Sequence, residues 1–185
     1  MPSATGKRTP PSPWDRFLRE VDGLIPEPVE LHCVGGFVIA ACYGLARPTA
    51  DVDYISIRPP NQAKRLQEIA GEGSKLHKKY RLYLQQVGVA SYPENYADRL
   101  IEMYPGHFRN LRLCALDPYD LALSTLERNA AVDREDVAYL AKQVPLDFRV
   151  LEQRYREELR PHLSHQDRHD LTLELWREAC FSPGS

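Results

Sequence analysis

The chain has 185 residues, 43% of them hydrophobic, with 24 basic and 26 acidic side chains for a formal net charge of −2. That length can bury a substantial core as one or two compact units, and the near-neutral balance excludes a globally basic nucleic-acid binder while allowing a local patch. No run approaches the roughly 18 apolar residues of a membrane span, the N-terminus lacks an apolar signal core, and the cysteines form no Cys-x-x-Cys pair, so a soluble cytoplasmic protein with reduced thiols and no membrane partner is expected.

Met1 to Pro13 is rich in Pro, Ser, Thr and Gly and has too little apolar surface to order itself, so residues 1–13 read as a disordered tail. Trp14, Phe17, Leu18, Val21 and Leu24 recur at helical spacing, and Pro26-Glu27-Pro28 stops that helix. Leu31 to Val34 reads as a short buried strand. Gly35 and Gly36 follow directly, where a backbone without side chains lets a ligand approach closely. Phe37 to Tyr43 is apolar on every side, which suits a short buried helix that starts at the glycines and ends at Gly44. Anions are favoured at such a start, where unbonded N–H groups and the positive dipole end meet. From Arg47 the period becomes two: in an extended strand Arg47, Thr49, Asp51 and Asp53 share one face, while Pro48, Ala50, Val52 and Tyr54 share the other.

The strand from Val52 to Ile57 stops at Pro59-Pro60. Asn61 to Ala70 reads as a helix, broken by Gly71-Glu72-Gly73. Lys75, His77, Lys78, Lys79 and Arg81 form a dense basic cluster, read either as a solvated helix end or as a strip that tracks an RNA backbone or the tail of a nucleotide triphosphate. Leu82 to Ala90 and Leu111 to Ala115 read as further strands. From Asp117 the pattern is helical, with segments Pro118 to Asn129, Asp133 to Gln143, Leu146 to Leu159 and Ser164 to Ala179, and with Asp117 and Ser164 as N-caps. Asp133, Glu135 and Asp136 fall in a first helical turn, where acids offset the dipole. His162, His165 and His169 lie close in sequence, but no cysteine or further histidine completes a four-ligand zinc site. The expected fold is α/β (α+β): a small mixed sheet flanked by helices over residues 14–116, then a C-terminal helical bundle over 117–185.

Two carboxylates on one strand face can share hard divalent cations. Mg²⁺ uses one or two carboxylates and takes its remaining ligands from substrate phosphates and water, and paired ions sit about 3.5–4 Å apart to steady the attacking and leaving oxygens. An isolated Asp-x-Asp is usually a pair of surface residues. Here strand, Gly-Gly, helix, Gly, Arg-x-Thr and Asp-x-Asp follow in order, which points to phosphoryl or nucleotidyl transfer. Asp51 and Asp53 would hold metal, Gly35, Gly36 and Thr49 the nucleotide, and Arg47 the developing negative charge.

This arrangement resembles the minimal nucleotidyltransferases of the DNA polymerase β superfamily, whose signature is Gly-Gly or Gly-Ser at a helix start followed by Asp-x-Asp or Asp-x-Glu on the next strand. The likeness continues through Tyr92-Pro93-Glu94-Asn95-Tyr96, Asp98-Arg99-Leu100, Leu116-Asp117-Pro118-Tyr119-Asp120-Leu121-Ala122, Leu126-Glu127-Arg128-Asn129 and Asp133-Arg134-Glu135-Asp136-Val137. These look like a bacterial family of nucleotidyltransferase-like proteins, some of whose relatives are toxins of type IV toxin–antitoxin and abortive-infection systems. The resemblance implies a nucleotidyltransferase-type sheet, Mg²⁺ (or Mn²⁺) as cofactor, a nucleoside triphosphate as substrate, a hydroxyl of RNA (tRNA included) or of protein as acceptor, and an antitoxin as partner. Active members usually carry a third carboxylate on a later strand, but Tyr83 to Ser91 contains no Asp or Glu, and Glu94 is the nearest substitute. Relatives also commonly carry a lysine where this chain has Thr125, leaving Arg128 or Arg47 to offset triphosphate charge. Two readings follow: an enzyme working through Asp51, Asp53, Glu94 and Arg47, or a catalytically degenerate binding or partner protein that keeps the fold.

Overall fold

The computed structural model describes residues 9–88 and 90–181, so the expected disorder of residues 1–8 lies outside the described part. The end of that segment is placed: the Pro11 and Pro13 carbonyls accept from the Asp15 and Phe17 amides and lead into the first helix. The chain divides into two compact units, one made of Met1–Gly88 with Leu100–Ala115, the other of Val89–Arg99 with Leu116–Ser185. Residues 89–99 thus cluster with the helical C-terminal part. Among the described residues no helix is long and apolar enough to cross a membrane.

The first unit carries the mixed sheet that the sequence predicts. Helix α1 (Trp14–Leu24) buries Trp14, Phe17, Leu18 and Val21. Its next apolar contact is Ile25, buried just past the helix end, whereas Leu24 is exposed: the chain has left helical geometry there, and period-based reasoning chose the wrong residue. Strand β1 (Val29–Val34) is buried at all positions but Glu30, as expected of a strand with neighbours on both sides. After it come α2 (Gly35–Tyr43), β2 (Asp51–Arg58), α3 (Ala63–Ala70), α4 (Lys75–Tyr80), β3 (Tyr83–Gln86), β4 (Ile101–Glu102) and β5 (Leu111–Ala115). The sheet order is β3-β2-β1-β5-β4; β1 runs antiparallel to β2 and parallel to β5, and β2 runs parallel to β3. β3 is far shorter than the expected Leu82 to Ala90, and β4 is too short to leave a periodic signal.

Strand β2 contains one irregularity. Its register with β1 passes from His32 opposite Ser56 to Cys33 opposite Tyr54, which leaves Ile55 as the extra residue of a bulge. The bulge reverses the alternation, so Val52, Tyr54 and Ile57 are all buried while Asp51, Asp53 and Ser56 are half-exposed. The basic cluster forms α4, where the Ser74 side chain accepts from the His77 amide as N-cap. Leu76 is buried, Lys75, Lys78, Lys79 and Arg81 are exposed, and Lys79 pairs with Glu20 at 2.7 Å.

The second unit is helical: α5 (Pro118–Leu123), α6 (Ala131–Gln143), α7 (Phe148–Arg154) continued by a π turn over Tyr155–Leu159, and α8 (Gln166–Cys180). Asp117 caps α5 as expected, accepting from the Asp120 amide at 2.9 Å, but the helix ends at Leu123 and turns replace its predicted continuation to Asn129. Ser164 does not cap α8; His165 occupies that place in a left-handed conformation and makes no side-chain cap. The interior of this unit holds an ionic network. Asp120 is fully buried between Arg99, at 2.8 and 3.1 Å, and Arg154, at 3.0 Å. Arg99 also binds Glu158 at 2.7 Å, and Arg154 binds Asp117 at 2.7 Å. Burial pushes the Asp120 carboxyl up, against the pull of the guanidinium groups.

Candidate functional site

The end of β1, the start of α2 and the start of β2 meet at one point of the first unit. Val34 pairs with Asp53 across the antiparallel ladder, and Gly35 then opens α2 with φ of +77°. That left-handed backbone favours glycine. Space demands it a second time: a Cβ on Gly35 would lie 2.9 Å from Oδ2 of Asp53, and a Cβ on Gly36 would lie 3.2 Å from a terminal nitrogen of Arg47. The two glycines therefore form a bare floor with a carboxylate against one and a guanidinium against the other. Val34, the N-cap, offers the helix no side-chain acceptor.

Asp51 and Asp53 are half-exposed while Val52 and Tyr54 are buried, so the two acids share one face of β2. Asp51 is oriented by two hydroxyls. Thr49 Oγ1 donates to Oδ1 at 2.9 Å, and Tyr83 Oη donates to Oδ2 at 3.5 Å. Burial first, then the nearby Asp51 charge, raises the Tyr83 phenol, which keeps it a protonated donor at neutral pH. The His77 ring lies 4.9 Å from the Tyr83 ring. Sequence reasoning missed Tyr83. The available signal was its spacing from Gln85, which matches that of Asp51 from Asp53: the parallel register sets Asp51 beside Tyr83 and Asp53 beside Gln85. The neighbouring strand thus presents a phenol and an amide next to the acids, and no carboxylate.

The donor set suits a hard cation. Both acids offer only oxygen, and the space that a Cβ would fill beside Asp53 is open because residue 35 is glycine. Among the described residues no group of three or more His, Cys, Asp and Glu could hold a metal, so a cation held by Asp51 and Asp53 would need oxygens from water and phosphate as well, the habit of Mg²⁺. Arg47 and Thr49 also line a cavity of about 460 Å³ whose walls include Trp14, Phe37, Leu45 and Leu82.

The structure brings Gly35, Gly36, Arg47, Thr49, Asp51 and Asp53 together. Glu94 and Arg128 belong to the second unit. The Glu94 carboxylate is 67% exposed and lies 3.5 Å from His162. Arg128 grips the buried Asp133 through both ends of its guanidinium, with Nε at 2.8 Å from Oδ2. Thr125 donates its hydroxyl to the Ala122 carbonyl at 2.8 Å within the turns that follow α5. His169 is buried in α8, whereas His162 and His165 are exposed.

A family model described as a nucleotidyltransferase of unknown function (DUF6036) matches residues 16–179. No curated protein and no solved structure matches the chain.

Proposed function

We propose that this chain, which belongs to the DUF6036 family of nucleotidyltransferases, moves a nucleotide from a nucleoside triphosphate to a hydroxyl of RNA, tRNA included, or of protein, with Mg²⁺ or Mn²⁺ held by Asp51 and Asp53. The observation that carries this reading is the contact of both charges with the glycine floor: Asp53 against Gly35 and Arg47 against Gly36. Gly35 and Gly36 admit the phosphate chain to the helix start. As the acceptor oxygen bonds to the α-phosphorus and the bond to the departing pyrophosphate breaks, negative charge grows on the phosphate oxygens, and Arg47 offsets it. The acceptor proton leaves to water or to a carboxylate of the pair. When bound, the cation lowers the barrier to ionising the attacking hydroxyl and stabilises the leaving oxygen. Thr49 and Tyr83 hold Asp51 in one orientation throughout, as outer groups do for metal ligands. A cytoplasmic toxin checked by an antitoxin is the setting that the resemblance suggests, and four free thiols suit that compartment.

A second reading has its own support. With Tyr83 and Gln85 beside the acids, the usual place for a third carboxylate is filled by groups that cannot act as a strong base, as in a protein that binds triphosphate without transfer. Incubation with each labelled triphosphate, Mg²⁺ and total RNA or lysate separates the two. Label transferred by the wild type and not by Asp51→Asn/Asp53→Asn supports the enzyme. Saturating triphosphate with Mg²⁺, at about 100 times its Kd, should stabilise the wild type by about 2.7 kcal/mol and leave the double variant unmoved. Stabilisation without label supports the binder, and neither effect refutes both readings.

A further inference from the structure

The outward face of α8 carries a pattern that the site does not use. The helix buries His169, Thr172, Leu173 and Trp176 within its own unit. On the opposite face Leu171 and Leu175 are 61% and 53% exposed, one turn apart, with the exposed Arg168 and Glu178 at either end. The side chains of Arg168 and Glu178 pair with no other described residue. The spacing 168, 171, 175, 178 is three, four, three, the seam of a coiled coil.

We propose that this strip pairs with the same strip of a second copy of the chain, the two α8 helices running antiparallel about a two-fold axis between Leu171 and Leu175. In that register each Leu171 meets the partner's Leu175, and each Arg168 meets the partner's Glu178. A two-fold interface must be self-complementary, and this sequence is, in shape and in charge. A purely apolar occupant would cover the leucines and leave both end charges unmatched, whereas a second copy satisfies all four positions. Of the flanking acids, Glu174 is already neutralised within the helix by Arg177. One strip on a 15-residue helix covers less than the roughly 1,200 Å² of a stable interface, which makes the dimer a weak and reversible one that forms only at raised protein concentration. The pairing is independent of the catalytic reading.

Sedimentation velocity of the full chain from about 2 to about 200 µM should show a concentration-dependent shift from monomer to dimer. Leu171→Ser/Leu175→Ser should stay monomeric over that range. Arg168→Glu alone and Glu178→Arg alone should each raise the Kd about fivefold or more, and Arg168→Glu/Glu178→Arg should return it to within about twofold of wild type. The reciprocal charge pair keeps the test decisive even where the serine variant melts early, because charge reversals at exposed sites leave the core intact. A wild type that is monomeric throughout, which includes the case of a strip reserved for a different protein, overturns the proposal. So does association that survives the serine substitutions in a folded variant, or reversed charges that fail to restore it.

Discussion

Replacing Gly35 with alanine tests whether the glycine floor is built around Asp53. Two costs should add. The backbone at φ of +77° penalises an alanine by about 1–2 kcal/mol, and the new methyl, 2.9 Å from Oδ2 of Asp53, forces the carboxylate out of its rotamer for about 1 kcal/mol more. Gly73 supplies the matched control, since its φ of +81° is nearly the same but nothing lies within 4 Å of a Cβ there. Gly73→Ala should therefore cost about 1–2 kcal/mol and Gly35→Ala about 2–3 kcal/mol, with the entropy gained in the unfolded chain cancelling between them. The chain has two tryptophans, Trp14 in the first unit and Trp176 in the second, so urea unfolding in a Trp176→Phe background follows Trp14 and the unit that contains both glycines. In a double-mutant cycle, Asp53→Ala should remove the excess penalty of Gly35→Ala, giving about 1 kcal/mol of coupling. Equal penalties at positions 35 and 73, together with additivity against Asp53→Ala, would refute the packing argument.

Thr49→Val removes the short hydroxyl contact to Asp51 and should weaken binding of Mg²⁺ with triphosphate about tenfold by calorimetry, while Tyr83→Phe, which loses a donor at 3.5 Å, should weaken it only about two- to threefold. Asp120→Ala leaves Arg99 with Glu158 alone and Arg154 with Asp117 alone, and the loss of these charge-assisted hydrogen bonds should destabilise the second unit by about 1.5–3 kcal/mol, read from Trp176 fluorescence; a loss below about 0.5 kcal/mol would mean that the network is slack. The Arg160 guanidinium holds the Asp170 carboxyl down from 3.8 to about 2. Its folded value lies below the unfolded one, so the contribution is complete above about pH 4 and disappears as pH falls towards 2. After allowance for solvent screening it amounts to about 1 kcal/mol. Asp170→Asn should accordingly lower Tm at pH 7 and have little effect near pH 2, and an equal effect at both would contradict the assignment.

Much of the site was readable because it is local. Gly35 to Asp53 spans one strand, one helix and the next strand, and each printed its own period: an apolar run for β1, all-round apolarity for α2, strict alternation for the first half of β2. The partners of that site were not readable, because Tyr83 reaches Asp51 only through the parallel register of β2 with β3, a non-local pairing. The same limit hid the ionic network of the second unit. Asp120 reads as one helical residue among others until Arg99 and Arg154, 21 and 34 positions away, close on it. The Ser164 cap failed for a different reason. A helix start is set by where the chain leaves the preceding turn, and His165, held left-handed, enters α8 one residue later than the capping signal.

The extra residue at Ile55 has a consequence for any chain of this build. It works like a splice between two reading frames: before it, odd-numbered positions face outward; after it, even-numbered ones do. Counting outward-facing positions back from Arg58 in steps of two arrives at Tyr54 and Val52, and so assigns the acids to the core. A strand that lost Ile55 alone would alternate without interruption, with Asp51, Asp53, Ser56 and Arg58 outward and Val52, Tyr54 and Ile57 inward, so a relative can shed the bulge as a single residue and keep both acids on the open face.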